Sequence, residues 1–140
     1  MAVHFSYQDN KNPLFDEKYV SSWICSVIRH HGKVPGKINY LFSNDEYVHD
    51  VNVRFLDHDT YTDIITFDNV VGDRISGDII ISLDRVGENA TLFSGDFDQE
   101  LRRVIIHGVL HLLGNKDKTD EEAMNMRKLE NDALSMFVVK

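Results

Sequence analysis

The distribution of apolar residues along the chain already divides it into elements. Val3 to Tyr7 alternates Val, Phe and Tyr with His and Ser, the two-residue period of a half-buried strand. Between Asp16 and His31 the apolar positions Val20, Trp23, Ile24, Val27 and Ile28 recur at three- and four-residue steps, which predicts one continuous helical stripe. Gly32 can end that helix, and Pro35-Gly36 predicts a turn. Ile38 to Phe42 reads as a second strand. Ser43 with Glu46 then offers a capping box for a helix running to about Leu56. Thr62 to Phe67 and Asp78 to Ser82 predict two more strands, with Gly72 and Gly77 bracketing the turn between them. The run Ile79-Ile80-Ile81 predicts burial on both faces. From Leu83 onward the pattern is helical, with breaks at Ser94-Gly95 and around Gly114. The expected fold is therefore α/β: a small mixed four-stranded sheet covered by about five helices, in a single domain over 1-140.

Composition agrees with a chain that folds on its own. Its 140 residues are 42% hydrophobic and 27% charged, far from the signature of disorder, and no repeat or linker marks a second domain. Cys25 is the single cysteine, so no internal disulfide is possible, and a reducing cytoplasm is the expected location. The amino-terminal stretch lacks the basic flank and apolar core of a signal peptide, and no segment approaches the ~20 apolar residues of a membrane span. The formal charge of −8 is spread evenly, which counts against a nonspecific nucleic-acid coat. A local basic cleft on an acidic protein can still hold RNA, and the nearest such cluster is Arg29, His30, His31, Lys33 and Lys37, though a solvated helix end and turn is the favoured reading of it.

The chemistry concentrates in His107-Gly-Val-Leu-His-Leu-Leu-Gly-Asn-Lys-Asp117, at the end of a helix that begins near Asp96. Residues four apart share a helix face, so His107 and His111 can present two imidazoles to one ion. Gly114 can then stop the helix in a left-handed conformation and return Asp117 to the same point. A histidine pair alone would not decide the matter; the helix context, the glycine and the carboxylate together point to a metal. Two nitrogens and one carboxylate oxygen leave a position for water, as in catalytic rather than structural zinc sites. The same donor set also describes non-haem iron centres, so the donors alone do not fix the metal; the helical spacing leans toward zinc, one ion per chain. After the turn, Thr119-Asp120-Glu121-Glu122 predicts a capping box, and Met126, Leu129, Ala133 and Phe137 the buried face of a last helix. Gly108 stands where zinc peptidases of the His-Glu-x-x-His type carry a glutamate base; the reason expected for it is a close approach to a neighbouring strand.

At this point the chain resembles the YbeY family, bacterial metal-dependent endoribonucleases of ribosomal RNA maturation, across nearly its full length. The resemblance rests on His107 to Gly114, on Val51-Asn52 followed by Thr62-Asp63-Ile-Ile-Thr-Phe67, and on Gly77-Asp78-Ile79. It implies zinc, a cytoplasmic location, processing of small-subunit ribosomal RNA and a part in ribosome quality control, with ribosomal RNA and the small subunit as partners and neither membrane nor organic cofactor. Two departures stand out. The family usually continues Gly-Tyr-Asp-His and ligates through that histidine, where this chain has Asp117. It also carries an arginine where this chain has Leu56, and Arg54 or Arg74 are the candidates to replace it.

Glu100 and Arg103, about two turns and one turn before His107, are the candidate catalytic or orienting residues; the acid-base group itself stays unassigned. Asp63 and Asp78 read as turn or cap residues. Two other functions compete with a nuclease. One is a metallopeptidase-like hydrolase, with Ile79 to Ile81 as an edge that pairs with a peptide. The other is a non-catalytic ribosome-assembly factor whose metal holds the last helices together.

Overall fold

The structure, a computed structural model, describes residues 2–8, 13–57 and 62–137. Strand β1 (Val3–Tyr7) leads into α1 (Glu17–His30), β2 (Val34–Ser43), α2 (Asp45–Leu56), β3 (Ile64–Asp68) and β4 (Arg74–Ser82). Helix α3 (Leu83–Asn89), a π turn over Ala90–Ser94, α4 (Phe97–Leu112) and α5 (Asp120–Ser135) complete the order. The sheet runs β1-β2-β4-β3. The β1/β2 and β2/β4 pairs are parallel and β3/β4 is antiparallel. That mixture follows from the connections: parallel neighbours need a crossover, which α1 and then α2 with β3 supply, whereas β3 and β4 are joined by a short turn through Gly72, at φ +59°. No helix among the described residues is long and apolar enough to cross a membrane.

Alternation in the strands sorts the core into two layers. Ile38, Tyr40 and Phe42 of β2, with Ile75, Ile79 and Ile81 of β4, face α1, α4 and α5 in the main cluster. Ile65 of β3, with Phe67 and Ile80, faces α2 in a smaller one built on Val48 and Val51. The main layer is also tied by buried polar bonds. Tyr40 donates its hydroxyl to the Ile105 carbonyl at 2.8 Å, and Trp23 donates its indole N–H to the Ala133 carbonyl at 2.9 Å. Each gives a large aromatic residue its polar partner inside the core.

Four details differ from the sequence pattern. Pro35-Gly36 lies inside β2, at a register irregularity against β4, because the strand begins at Val34 rather than Ile38. Ser43 is the last residue of β2, and the cap of α2 is Asn44, whose side chain accepts from the Tyr47 amide. Gly77 is a β4 residue packed on Leu112, not the end of the turn. Ile79 to Ile81 is paired on both sides, to β2 and to β3, so the edges of the sheet are β1 and β3. Strand order depends on which neighbour inserts between two others, and periodicity carries no trace of that.

Candidate metal centre

Helix α4 is where local sequence and tertiary packing combine to build the site. Asp96 caps it, accepting from the Asp98 and Gln99 amides. Leu101, Val104, Ile105 and Leu112 are buried on the sheet side, which leaves His107 and His111 together on the remaining face with ring centroids 4.8 Å apart. Gly108 explains how close the helix lies. A Cβ there would stand 2.9 Å from Ile79 Cδ1 and 3.0 Å from Ile64 Cδ1, so any side chain would force those two isoleucines to move. This approach sets the histidines beside the start of β3.

The helix ends as the glycine predicted. Gly114 sits at φ +99°, its amide bonds the His111 carbonyl at 2.9 Å, and the Asn115 amide bonds the Leu110 carbonyl at 3.1 Å. These are the two bonds of a Schellman stop. Thr119 and Glu122 form the reciprocal capping box that begins α5. Between these two fixed ends, Asp117 returns to the histidines.

His107 Nε2 lies 3.3 Å from Asp117 Oδ2, and His111 Nε2 lies 3.6 Å from Asp117 Oδ1. One donor atom from each of the three residues falls within 4.8 Å of the others, and among the described residues no other such trio of His, Cys, Asp or Glu converges. Zinc–ligand bonds of about 2.0–2.2 Å in a tetrahedron place neighbouring donors about 3.3–3.6 Å apart, the range in which both histidines stand from the Asp117 carboxylate.

The surroundings are polar and unevenly charged. Glu130 of α5, 7% exposed, places Oε2 2.6 Å from His107 Nδ1. Its other oxygen accepts from Arg103 Nη1 at 2.9 Å, and Arg103 Nη2 donates to Asn131 Oδ1 at 2.8 Å. Burial pulls the His107 pKa down, but the bond and charge of Glu130, joined by Asp117 and Asp63, outweigh it and leave the pKa raised. His111 moves the opposite way, lowered by burial and by the His107 charge. Burial pushes Glu130 up, yet its bonds to His107 and Arg103 prevail and hold it ionised. Burial also raises Asp63 and Glu100.

The centre forms a wall shared by two cavities. The larger, about 540 Å³, is lined by Asn52, Leu56, Thr62 to Thr66 and Lys118, and the smaller, about 250 Å³, by Glu100, Arg103, Arg127 and Glu130. Asp63, His107 and Asp117 line both.

The sequence candidates thus divide. Glu100 and Arg103 line the smaller cavity, and Asp63, expected as a turn residue, faces both. Asp78 lies in β4 and accepts from Asn39 and Asn69. Leu56 does line the larger cavity, but Arg54 pairs with Asp50 on the surface, and Arg74 begins β4 at the sheet end remote from Ile81 and Ile64. The basic cluster is at that remote end too: Lys33 pairs with Asp73, and Val34 pairs with Arg74. Glu130 was missed. Its signal was present as a carboxylate on the buried stripe of α5, between Met126 and Ala133.

Comparison with known proteins gives a consistent picture. The family model described as Endoribonuclease YbeY matches residues 4–138. The protein named Endoribonuclease YbeY from Flavobacterium johnsoniae is 46% identical over 138 residues, covering 99% of each chain. Those of the same name from Parabacteroides distasonis and Phocaeicola vulgatus are 47% identical over 98% of this chain and 96% of theirs, and 49% identical over 94% and 97%. The solution structure of TM1509 from Thermotoga maritima superposes with a TM-score of 0.62 at 22% identity, covering 95% of this chain and 89% of that one, a likeness of fold.

Proposed function

This chain belongs to the Endoribonuclease YbeY family, and from that premise we propose that it is a zinc-dependent endoribonuclease acting in maturation of small-subunit ribosomal RNA and in ribosome quality control. On this reading, residues 1-140 are a single metalloprotein domain working in the cytoplasm, with ribosomal RNA and the small ribosomal subunit as partners. The observation that carries the proposal is the convergence of His107, His111 and Asp117 at the larger cavity, with His107 and Asp117 also lining the smaller.

His107 Nε2, His111 Nε2 and one Asp117 oxygen would hold the ion. A bound divalent cation there supplies Lewis acidity toward a phosphoryl oxygen and toward water. The chain's own residues do the rest. An RNA strand crossing the wall meets Lys118 on one side and Arg127 on the other, cations placed for the flanking phosphates. Asn52, buried against the larger cavity, and Thr62 and Thr66 offer polar groups to sugar or base. Asp63 and Glu100, which line the smaller cavity and whose pKa values burial raises, are the candidates to move a proton there. A peptidase reading keeps one point in its favour, the edge strand β3 beside the cleft, but lacks a base at Gly108.

Elemental analysis of the purified protein, paired with RNA and casein cleavage assays with and without chelator, tests the proposal. Expected are one zinc per chain and chelator-sensitive cleavage of RNA alone. His107→Ala and His111→Ala should lose metal and cleavage while keeping their helical circular dichroism, since the core uses other faces of α4. Full zinc occupancy in either variant would remove the site, and cleavage of casein alone would favour the peptidase.

A further inference from the structure

Glu130 is the least exposed carboxylate of the site, and its position follows from neither α4 nor the turn that carries Asp117. It arrives from α5, twenty-three positions after His107, and touches the one ring nitrogen that faces away from His111 and Asp117. An ionised carboxylate has no proton to give, so the hydrogen in the 2.6 Å contact belongs to His107 Nδ1. Arg103 keeps Glu130 ionised and immobile, and Asn131 in turn holds the second arm of the guanidinium.

We propose that Glu130 is a positioning residue that retains the His107 proton on Nδ1, so that Nε2 is the nitrogen freed to face His111 and Asp117. The inference rests on the metal-centre reading above, but the ring geometry on which it acts is independent of any ion. An imidazole hydrogen-bonded through one nitrogen to a carboxylate has a fixed tautomer, a fixed ring plane and a more basic second nitrogen. Both helices contribute to this: Arg103 and His107 lie one turn apart on α4, and both reach the same α5 carboxylate. Docking of α5 therefore orients a donor on α4.

A purely bracing role for Glu130 makes a different forecast, so the two can be separated. Glu130→Gln preserves shape and an acceptor but removes the charge; Glu130→Leu removes the acceptor as well; Arg103→Met removes the brace and leaves Glu130 in place. Zinc affinity, measured by competition with a chelator, should fall on the order of 10–100-fold in Glu130→Gln and further in Glu130→Leu. In Arg103→Met the loss should be smaller. Proton NMR should show a downfield, slowly exchanging His107 Nδ1–H signal in the wild-type protein, with or without zinc, and none in Glu130→Leu. Zinc affinity in Glu130→Gln within twofold of wild type, with equal loss of thermal stability in Glu130→Gln and Arg103→Met, would overturn the proposal in favour of a brace. If the wild-type protein takes up no zinc, the metal reading fails, and the ring-proton signal alone then decides for or against Glu130.

Discussion

The two walls of the cleft are built on opposite principles. The α4–α5 wall is tightly bonded: His107, Glu130, Arg103 and Asn131 form one hydrogen-bonded chain, and Gly108 locks the helix against Ile79 and Ile64. The facing wall of α2 and β3 rests on the small cluster of Val48, Val51 and Ile65, leaves Phe55 70% exposed and ends on an edge strand. One wall is a rigid holder for donors, where a displacement of a few tenths of an ångström matters. The other tolerates change and offers surface to a ligand. Substitutions matched across the cleft should therefore have opposite signatures.

The largest contrast is expected between Gly108→Glu and Leu56→Arg. Restoring the glutamate of zinc peptidases drives its Cβ into two isoleucines and leaves an unpaired charge in the core, at a cost of about 4 kcal/mol. That is a large share of a typical domain's stability, so urea denaturation should show a sharply lowered midpoint and no gain of peptidase activity. Leu56→Arg, on the open wall, should leave stability within about 0.5 kcal/mol. It should tighten RNA binding and steepen the salt slope of log K by about 0.7, one added phosphate contact. Equal stability losses in the two proteins would end the distinction between walls.

Next in size is Asp117, which belongs to the rigid wall by geometry but arrives from an exposed turn. Asp117→Asn keeps the shape and removes the charge, so zinc affinity should fall by about tenfold or more, whereas Asp117→His should retain more of it. An Asn variant with wild-type affinity would make Asp117 a turn residue only.

The smallest effect is a displacement along the pH axis. His107 must release the Nε2 proton to bind a cation, and its pKa lies above the ordinary imidazole value of 6.5. Proton competition thus begins above that value, and zinc affinity should decline as pH falls through it. His111, with a lowered pKa, should compete only at lower pH. In Glu130→Gln the onset should move to lower pH, because the charge that raises His107 is gone. Chelator competition at a series of pH values would show it, and an unmoved onset would mean that Glu130 does not set the His107 proton.

Legibility from sequence follows the same division. His107, His111, Gly114 and Asp117 sit within one helix end and one turn, so spacing and a C-terminal glycine rule suffice to join them. The element types along the chain, and the α/β class they imply, were similarly local. Glu130 and Asp63 meet the site only through the packing of α5 and of β3, and no period connects residue 63 to residue 107. Nor could spacing tell that β4 lies between β2 and β3, so the edge that the peptidase alternative placed at Ile79 to Ile81 belongs to β3 instead. The departure at Leu56 was visible, but the places of Arg54, paired with Asp50 on α2, and of Arg74, at the far end of β4, depend on the packing.

The strand order β1-β2-β4-β3 has a temporal side as well. All four strands precede His107, Asp117 and Glu130 in the chain, so during synthesis the sheet's residues emerge on the order of several seconds before the donors do. Through that interval the face of β2 and β4 that α4 will cover has no cover, and Ile64 and Ile79 have no Gly108 to receive them. The three donors and Glu130 can converge only once α4, the turn after it and α5 have been made and packed against that sheet.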